Sequence, residues 1–270
     1  MTWPIQRLLV PIDPSDRSKL ALPSALLLGR RARVPIVLFN WSVDEEGAAE
    51  AKRCLGDLAA DLPGVTVEVA VAEHSSAARS VGAAAERSGA TVVMAAHGRS
   101  GVGRMLLGSV AEETLGLLRG PSVLVGPAVV EGERAGGAAL AACVDGSPWS
   151  EAVLPVASGW ARQLKLPLLL VHVREPDASY GSFEQSPEEM ESTYLDGLAS
   201  RVDPAAPPDH ALLWGEPAQA IASLAHERAD LVAMVTHVRG GLARTVLGSI
   251  AMQVVHHSQR PVLVVPRQRA

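Results

Sequence analysis

The sequence predicts an α/β protein made of two copies of one domain, each an open parallel sheet with helices on both faces. Two internal repeats and the alternation of short apolar strands with helices carry this prediction. Residues 10–23 and 142–155 share one pattern 132 residues apart, and residues 97–109 and 237–249 share another 140 residues apart. A repeat of half the chain indicates a duplicated domain and not a short-period solenoid.

The two spacings also locate the domain boundaries. Their difference predicts an eight-residue insertion in the second copy, around 177–187. The Gly- and Glu-rich run Glu131–Gly137 has the composition of a linker. We therefore predict a first domain at 1–130, a linker at 131–137 and a second domain at 138–270.

Each copy is expected to alternate strands and helices in the same order. In the first copy the predicted strands are 8–12, 36–41, 65–71, 91–96 and 122–125, and the predicted helices are 16–31, 44–62, a segment ending near 88, and 109–119. Ser15 and Ser147 are predicted helix N-caps, the latter with Pro148 at the first helical position, and Ser186 is predicted to open a helix with a capping box. Helical crossovers between buried strands predict a five-stranded, Rossmann-like parallel sheet in each copy.

The apolar fifth strands, 122–125 and 262–265, would each form an edge of a sheet. An exposed apolar edge invites aggregation, because its backbone groups can pair with another chain. We therefore predict that the two strands meet between the halves, related by a pseudo-twofold axis, as a pseudo-dimer within one chain.

Composition excludes several classes of protein. The chain has 270 residues, of which 48% are apolar, so it is not intrinsically disordered. Its formal net charge of −5 lacks the basic excess of a nucleic-acid-binding protein, and no apolar run is long enough to span a bilayer. The two cysteines, Cys54 and Cys143, are in no metal or redox spacing, and both are expected to be buried. With no signal-peptide pattern, we expect a cytoplasmic protein without nucleic-acid or membrane partners.

The repeated residues follow predicted strands, where open parallel sheets bind their ligands. Asp13 follows the first strand, His97 and Gly98 follow the fourth, and Gly108–Ser109 opens a helix, whose free N–H groups suit phosphate. Local roles remain open for the same residues. Ser109 has the spacing of a capping box with Glu112, and Asp13 is suited to a turn.

In combination these motifs resemble the universal stress protein family, with two of its domains in one chain. The resemblance implies the adenine-nucleotide alpha-hydrolase-like fold and a stress-response or regulatory role. Its ATP-binding members share the loop pattern G-x2-G-x9-G-[S/T]. The first copy matches at Gly98 and Gly108–Ser109 and has Ala95 at the first glycine, whereas the second copy has Val235 and Val238 and keeps only Gly248–Ser249. The resemblance therefore favours an ATP site in the first copy and a degenerate one in the second.

The resemblance also implies roles for individual residues. Asp13 would contact the nucleoside, and Val10, Pro11 and Met94 would line its pocket. Trp41 would either stack on the base or fill the pocket. The loop and helix start would hold the phosphates and an accompanying Mg²⁺; these residues are Ala95, His97, Gly98, Arg99, Gly108, Ser109 and Val110.

No catalytic constellation accompanies these residues. The sequence has no P-loop, no G-x-S-x-G motif and no kinase signature, so we expect ATP to be bound without efficient turnover. A second possibility is a protein that has lost nucleotide binding and acts as a dimeric interaction module, as a homodimer or with a protein partner that the sequence does not identify. A third, an enzyme of a related nucleotide-binding superfamily, lacks any supporting acid–base or nucleophile set.

Overall fold

A computed structural model describes residues 3–42, 44–62, 64, 67–73, 76–96, 107–130, 138–174, 186–203, 207–236 and 247–266, with the backbone alone for 67–73. The predicted loop residues His97, Gly98 and Arg99 lie outside this part of the chain, as do the 131–137 linker and most of the insertion around 177–187.

The elements alternate as the sequence predicts. The strands are β1 (Leu8–Pro11), β2 (Ile36–Ser42), β3 (Val67–Glu73), β4 (Thr91–Ala95), β5 (Ser122–Val125), β6 (Ala139–Val144), β7 (Leu168–Arg174), β8 (Asp209–Trp214), β9 (Ala229–Thr236) and β10 (Val262–Pro266). The helices are α1 (Asp16–Lys19), α2 (Leu22–Ala32), α3 (Glu45–Ala60), α4 (Ala77–Ser88), α5 (Ser109–Leu117), α6 (Leu154–Leu164), α7 (Pro187–Val202), α8 (Pro217–Arg228) and α9 (Ser249–His257), and a 3₁₀ turn, Ser150–Val153, precedes α6. The predicted α/β architecture is confirmed.

One predicted helix is divided and one predicted helix start is wrong, whereas the predicted N-cap position of Ser15 before Asp16 is confirmed. The single helix expected over 16–31 is divided into α1 and α2, with Pro23 in the first turn of α2. Ser147–Pro148 likewise does not start a helix, because a turn and the 3₁₀ segment precede α6, which has Pro155 in its first turn. Proline has no N–H and suits the first turn of a helix, so both halves begin their long helix there. The capping box at Ser186 is confirmed.

All ten strands form one continuous sheet in the order β3-β2-β1-β4-β5-β10-β9-β6-β7-β8. Every neighbouring pair is parallel except β5 and β10, which pair antiparallel at the centre. Val123 lies opposite Leu263, its own counterpart 140 residues later, and Ser122 and Leu124 lie opposite Val264 and Val262. This register places a pseudo-twofold axis between Val123 and Leu263, so the predicted meeting of the fifth strands is confirmed.

The shared sheet gives the protein two cores, one on each face. Each core contains buried residues from both halves: Leu38 and Leu170 belong to one, and Val92 and Val232 to the other. Because β5 and β10 run in opposite directions, the carboxyl ends of the first-half strands lie at one end of the sheet and those of the second half at the other. Two sites of the same type would therefore be far apart and face opposite ways.

Contacts outside the sheet also join the halves. The Gln163 side chain accepts a hydrogen bond from the Ile5 N–H (2.9 Å) and donates one to the Ile5 carbonyl (2.6 Å). The Trp160 indole donates to the Trp3 carbonyl at 2.9 Å. Arg31 forms an ion pair with the buried Asp230 at 2.9 Å. Residues near the start of the chain thus stabilise helix α6 of the second half.

Gly126, directly after β5, packs tightly against the backbone of α9 in the other half. A Cβ atom there would overlap the carbonyl oxygen of Val255 in α9. We expect Gly126→Ala to lower the free energy of unfolding by about 1–3 kcal/mol, as overpacking of a tight contact does. Chemical denaturation measures this change.

Gly159→Ala in α6 is the matched control, because its Cβ would meet nothing within 4 Å. It should leave stability unchanged or raise it by up to about 1 kcal/mol, since alanine is the better helix former. A Gly126→Ala protein as stable as this control would contradict the close approach.

Candidate functional site

A cavity of about 1200 Å³ opens at the carboxyl ends of the first-half strands. Its described walls come from strands β1, β2 and β4, from the turn after β1, and from helices α1, α3, α4 and α5. Of the predicted site residues it brings together Pro11, Asp13, Trp41, Met94, Ala95, Gly108, Ser109 and Val110. Val10 is not among the lining residues, because its side chain is fully buried in a core.

Asp13 is held by the turn that follows β1. Its Oδ1 accepts hydrogen bonds from the Ser15 N–H (2.8 Å) and the Ser15 hydroxyl (2.5 Å). Asp145 and Ser147 repeat this arrangement in the second half, at 2.9 and 2.6 Å. The turn role expected for Asp13 is therefore present in both copies. Since the turn uses one carboxylate oxygen, the other is the one that can face a ligand.

The strand that precedes this turn is fixed by a second repeated contact. The Asn40 amide donates to the Ile12 carbonyl at 2.5 Å, and in the second half a ring nitrogen of His172 lies 2.9 Å from the Val144 carbonyl. Asn40 and His172 are counterparts 132 residues apart. Both copies thus satisfy the last carbonyl before the Asp turn with a side chain from the neighbouring strand.

Helix α5 presents its first turn to the cavity. Gly108 is the N-cap and has no side-chain cap, so the capping box proposed for Ser109 and Glu112 is not formed. The Gly108 N–H donates to the Ala96 carbonyl at 2.8 Å. The N–H groups of Ser109, Val110 and Ala111 have no acceptor within the helix, as in any first turn, and all three residues line the cavity. This arrangement suits an anion.

Sequence reasoning missed the wall formed by α3. The residues that line the cavity from this helix and its C-cap are Gly47, Glu50, Ala51, Cys54, Leu55, Asp57, Leu58 and Asp61. Several are small, which leaves room for the cavity, and three are acidic. Cys54 is exposed, so the expectation that it is buried is wrong. The available signal was the spacing of Ala51, Cys54 and Leu58 on one face of the helix.

The same place in the second half is occupied by side chains. Helix α7 is the counterpart of α3 at a spacing of 140, with Leu195 buried where Leu55 is buried. Lys19, Cys54 and Asp61, which line the cavity, correspond to Glu151, Tyr194 and Arg201. Tyr194 donates to Glu151 at 3.2 Å, and Arg201 donates to the same carboxylate at 2.7 Å. These three side chains bridge the space that is open in the first half.

A second group of side chains adds contacts at the second-half site. Glu191, the counterpart of Ala51, forms an ion pair with Arg174 at 3.7 Å, and both side chains are about nine-tenths buried. The Arg174 guanidinium lies 4.3 Å from the centre of the Trp214 ring. Neither contact can form in the first half, where the counterparts of Glu191 and Arg174 are Ala51 and Ser42. The described walls of the two sites therefore share a backbone arrangement but carry different side chains.

Burial controls the ionisation of two groups. Burial, and then the neighbouring Glu151 carboxylate, raise the pKa of Tyr194, so it stays a hydrogen-bond donor. Burial also raises the pKa of the Cys143 thiol to about 12, which keeps it protonated at neutral pH. Within the part of the chain that the structure describes, no cluster of three His, Cys, Asp or Glu side chains could hold a metal ion, and no helix is long and apolar enough to cross a membrane.

The two cysteines provide a chemical probe of the cavity. We expect iodoacetamide at pH 8 to alkylate Cys54, which is exposed at the cavity wall, and to spare Cys143, whose thiol is buried and stays protonated. Peptide mass spectrometry after timed quenching measures both rates. Equal rates in the folded protein would contradict the cavity, and a urea-unfolded sample, in which both thiols react, is the control.

Comparison with known proteins agrees with a chain of two related α/β halves. The model of the universal stress protein family matches residues 40–125 and 140–266. A universal stress protein of Mycolicibacterium smegmatis is 28% identical over 80% of this chain and 74% of its own length. The universal stress protein Rv2005c of Mycobacterium tuberculosis is 29% identical over 64% of this chain, and the match spans 60% of that relative's length. A universal stress protein from Archaeoglobus fulgidus has the same fold, with a TM-score of 0.69 and 19% identity over 97% of this chain and 98% of that one. The chain belongs to the universal stress protein family.

Proposed function

We propose that this protein is a regulatory module of the stress response that binds one adenine nucleotide, ATP, in the first-half cavity. The observation that supports it is the pairing of Asp13 with the uncapped start of α5 across one cavity. A carboxylate suits the hydroxyl groups of a ribose, and the N–H groups of a helix start suit phosphate. The apolar surface of Trp41 and Met94 between them suits a nucleobase.

The charged groups that line the cavity favour one orientation of the bound nucleotide. Glu50, Asp57 and Asp61 line it from α3 and would repel phosphates, whereas the start of α5 would attract them. The phosphates therefore belong at Ser109 and Val110. A Mg²⁺ ion in the complex would be held chiefly by the phosphates, with the Ser109 hydroxyl as a nearby oxygen ligand.

The contrast between the halves supports a single site. In the second half, Tyr194, Glu151 and Arg201 bridge the corresponding space, and Val238 stands where the first-half loop has Gly98. A branched side chain at a loop glycine blocks the close approach of backbone to phosphate. We therefore assign nucleotide binding to the first half alone.

The binding experiment uses titration calorimetry with ATP and Mg²⁺. We expect one site per chain and, for Gly98→Val, which copies the second-half residue, at least a tenfold loss of affinity with an unchanged melting temperature. Val238→Gly is the matched control and should bind ATP as the unaltered protein does. The proposal would be refuted if the unaltered protein bound no adenine nucleotide. Equal affinity in Gly98→Val would show that the loop does not contribute to binding.

We further propose that bound ATP is held and not consumed. Fast phosphoryl transfer needs a metal-charge clamp and an oriented nucleophile. In the proposed complex Asp13 would face the nucleoside and not a water at the γ-phosphate, and the loop sequence 97–106 contains no lysine. The nucleotide would act by shifting the protein between two conformations.

Steady-state release of phosphate should therefore be far below the typical enzymatic range of about 1–10³ s⁻¹. A coupled phosphate assay at saturating ATP measures it. Turnover within that range, abolished by His97→Ala, would show that the protein is an enzyme.

The alternative function, an interaction module without nucleotide, is favoured by one observation. Among the charged side chains that line the described wall, four are acidic, Asp13 and the three of α3, and one, Lys19, is basic. Lys19 is itself paired with Asp16 at 3.0 Å. Purified protein that binds no nucleotide but forms a homodimer in sedimentation would support this alternative.

A further inference from the structure

One pair of positions carries opposite charges in both halves, with the signs exchanged. In the second half, Arg201 of α7 donates to the Glu151 carboxylate at 2.7 Å, and this ion pair joins α7 to the segment that follows β6. In the first half the same two positions hold Asp61 and Lys19, 140 and 132 residues earlier. Each copy therefore has one acidic and one basic side chain at these positions.

The turns that carry the first member of each pair are equivalent. The Ser18 hydroxyl accepts a hydrogen bond from the Asp13 N–H (3.2 Å) and donates one to the Ser15 carbonyl (2.8 Å). The corresponding three residues of the second half form the same two bonds, at 3.0 and 2.8 Å. Lys19 directly follows Ser18, as Glu151 follows its counterpart. The side chains of Lys19 and Glu151 therefore begin at the same place in the two sites.

The helices that carry the second member are in the same register. Leu55 of α3 and Leu195 of α7 are counterparts, and both are buried. Asp61 follows Leu55 at the same spacing as Arg201 follows Leu195. Asp61 and Lys19 both line the first-half cavity. The two charged side chains of the first half therefore face one space, and their counterparts show that this space can be bridged.

In the first half the two charges are not paired with each other. Lys19 is paired instead with Asp16 at 3.0 Å, and the Asp16 side chain is 98% exposed. Asp61 has no ion pair among the residues that the structure describes. An ion pair as exposed as Lys19–Asp16 contributes little, so Lys19 can leave it at small cost. Glu151, by contrast, is 23% exposed in its pair, so a pair across the site is better shielded from water.

The reach of the side chains explains why the first-half pair is not formed. Lysine and aspartate together are shorter than arginine and glutamate, which span the equivalent distance in the second half. Lys19 and Asp61 can therefore meet only when the turn after β1 and helix α3 come closer together, which narrows the cavity between them.

We infer that Lys19 and Asp61 form a clasp, an ion pair that joins α1 to α3 across the cavity when a nucleotide is bound. This inference rests on the proposed function. A nucleotide that contacts both the turn after β1 and α3 binds the narrowed form more tightly, and this difference in affinity favours closure. Lys19 then exchanges Asp16 for Asp61, and the new ion pair slows release of the ligand.

The test is a double-mutant cycle on the release of ATP, with Lys19→Met, Asp61→Asn and the double variant. Rapid filtration of radiolabelled ATP measures the release rate. Lys19→Met should speed release about 1.5- to 5-fold when Asp61 is present, which is the effect of one ion pair, and should leave it nearly unchanged in Asp61→Asn. Without ligand, the melting temperatures of the same proteins should show no coupling, because the clasp is not formed. Both residues are exposed, so the variants are expected to fold.

The matched control is the same cycle on the second-half pair, with Glu151→Gln and Arg201→Met. This pair is formed without ligand, so its cycle should show coupling in the melting temperature and none in ATP release. If Lys19→Met has the same effect on release with and without Asp61, the inference is overturned while the proposed function stands. Coupling between Lys19 and Asp61 in the ligand-free melting temperatures would also overturn it. If the unaltered protein binds no nucleotide, the proposed function fails and the inference fails with it.

Discussion

The antiparallel pairing of β5 with β10 is the constraint on which the rest of the structure depends. Both strands are short, apolar and buried, and either one alone would be an exposed sheet edge. Their pairing removes both edges and makes one ten-stranded sheet with two continuous cores. Because Val123 and Leu263 meet as counterparts, the pairing also fixes the pseudo-twofold axis, and with it the opposite directions of the two candidate sites.

This arrangement lets the two halves diverge without loss of the fold. The residues at the axis and in the cores must remain apolar and fit together, which constrains both copies equally. The carboxyl ends of the strands lie away from the axis, so side chains there can change independently. The substitution of Cys54 by Tyr194 and of Ala51 by Glu191 across the repeat illustrates this freedom. One copy has small side chains around a cavity, and the other has hydrogen bonds and an ion pair at the corresponding positions.

The sequence predicted the architecture because its signals are local or repeated. The open parallel sheet of each half, the meeting of β5 with β10 and the position of Asp13 follow from the duplication and from the rules for parallel sheets. The division of the first helix was missed, because Pro23 was treated as part of a helix interior and not of a first turn. The α3 wall was missed because its contribution lies in small side chains, which carry no chemical motif.

The open and closed sites also differ in a way that no motif search would detect. A cavity forms where the side chains of its walls are small, and small side chains make no sequence motif. It is therefore recognised when both copies are compared in three dimensions. Once Leu55 and Leu195 are aligned by burial, the small residues of α3 and the large ones of α7 take the same places. The same alignment sets Thr114 against Val254, and the difference between them is one hydroxyl. A second copy in the same chain thus serves as an internal reference for which polar groups the fold itself requires. The turns at Asp13 and Asp145 occur in both copies and are therefore structural features of the fold. The Thr114 hydroxyl has no counterpart in the second copy, where the residue is Val254.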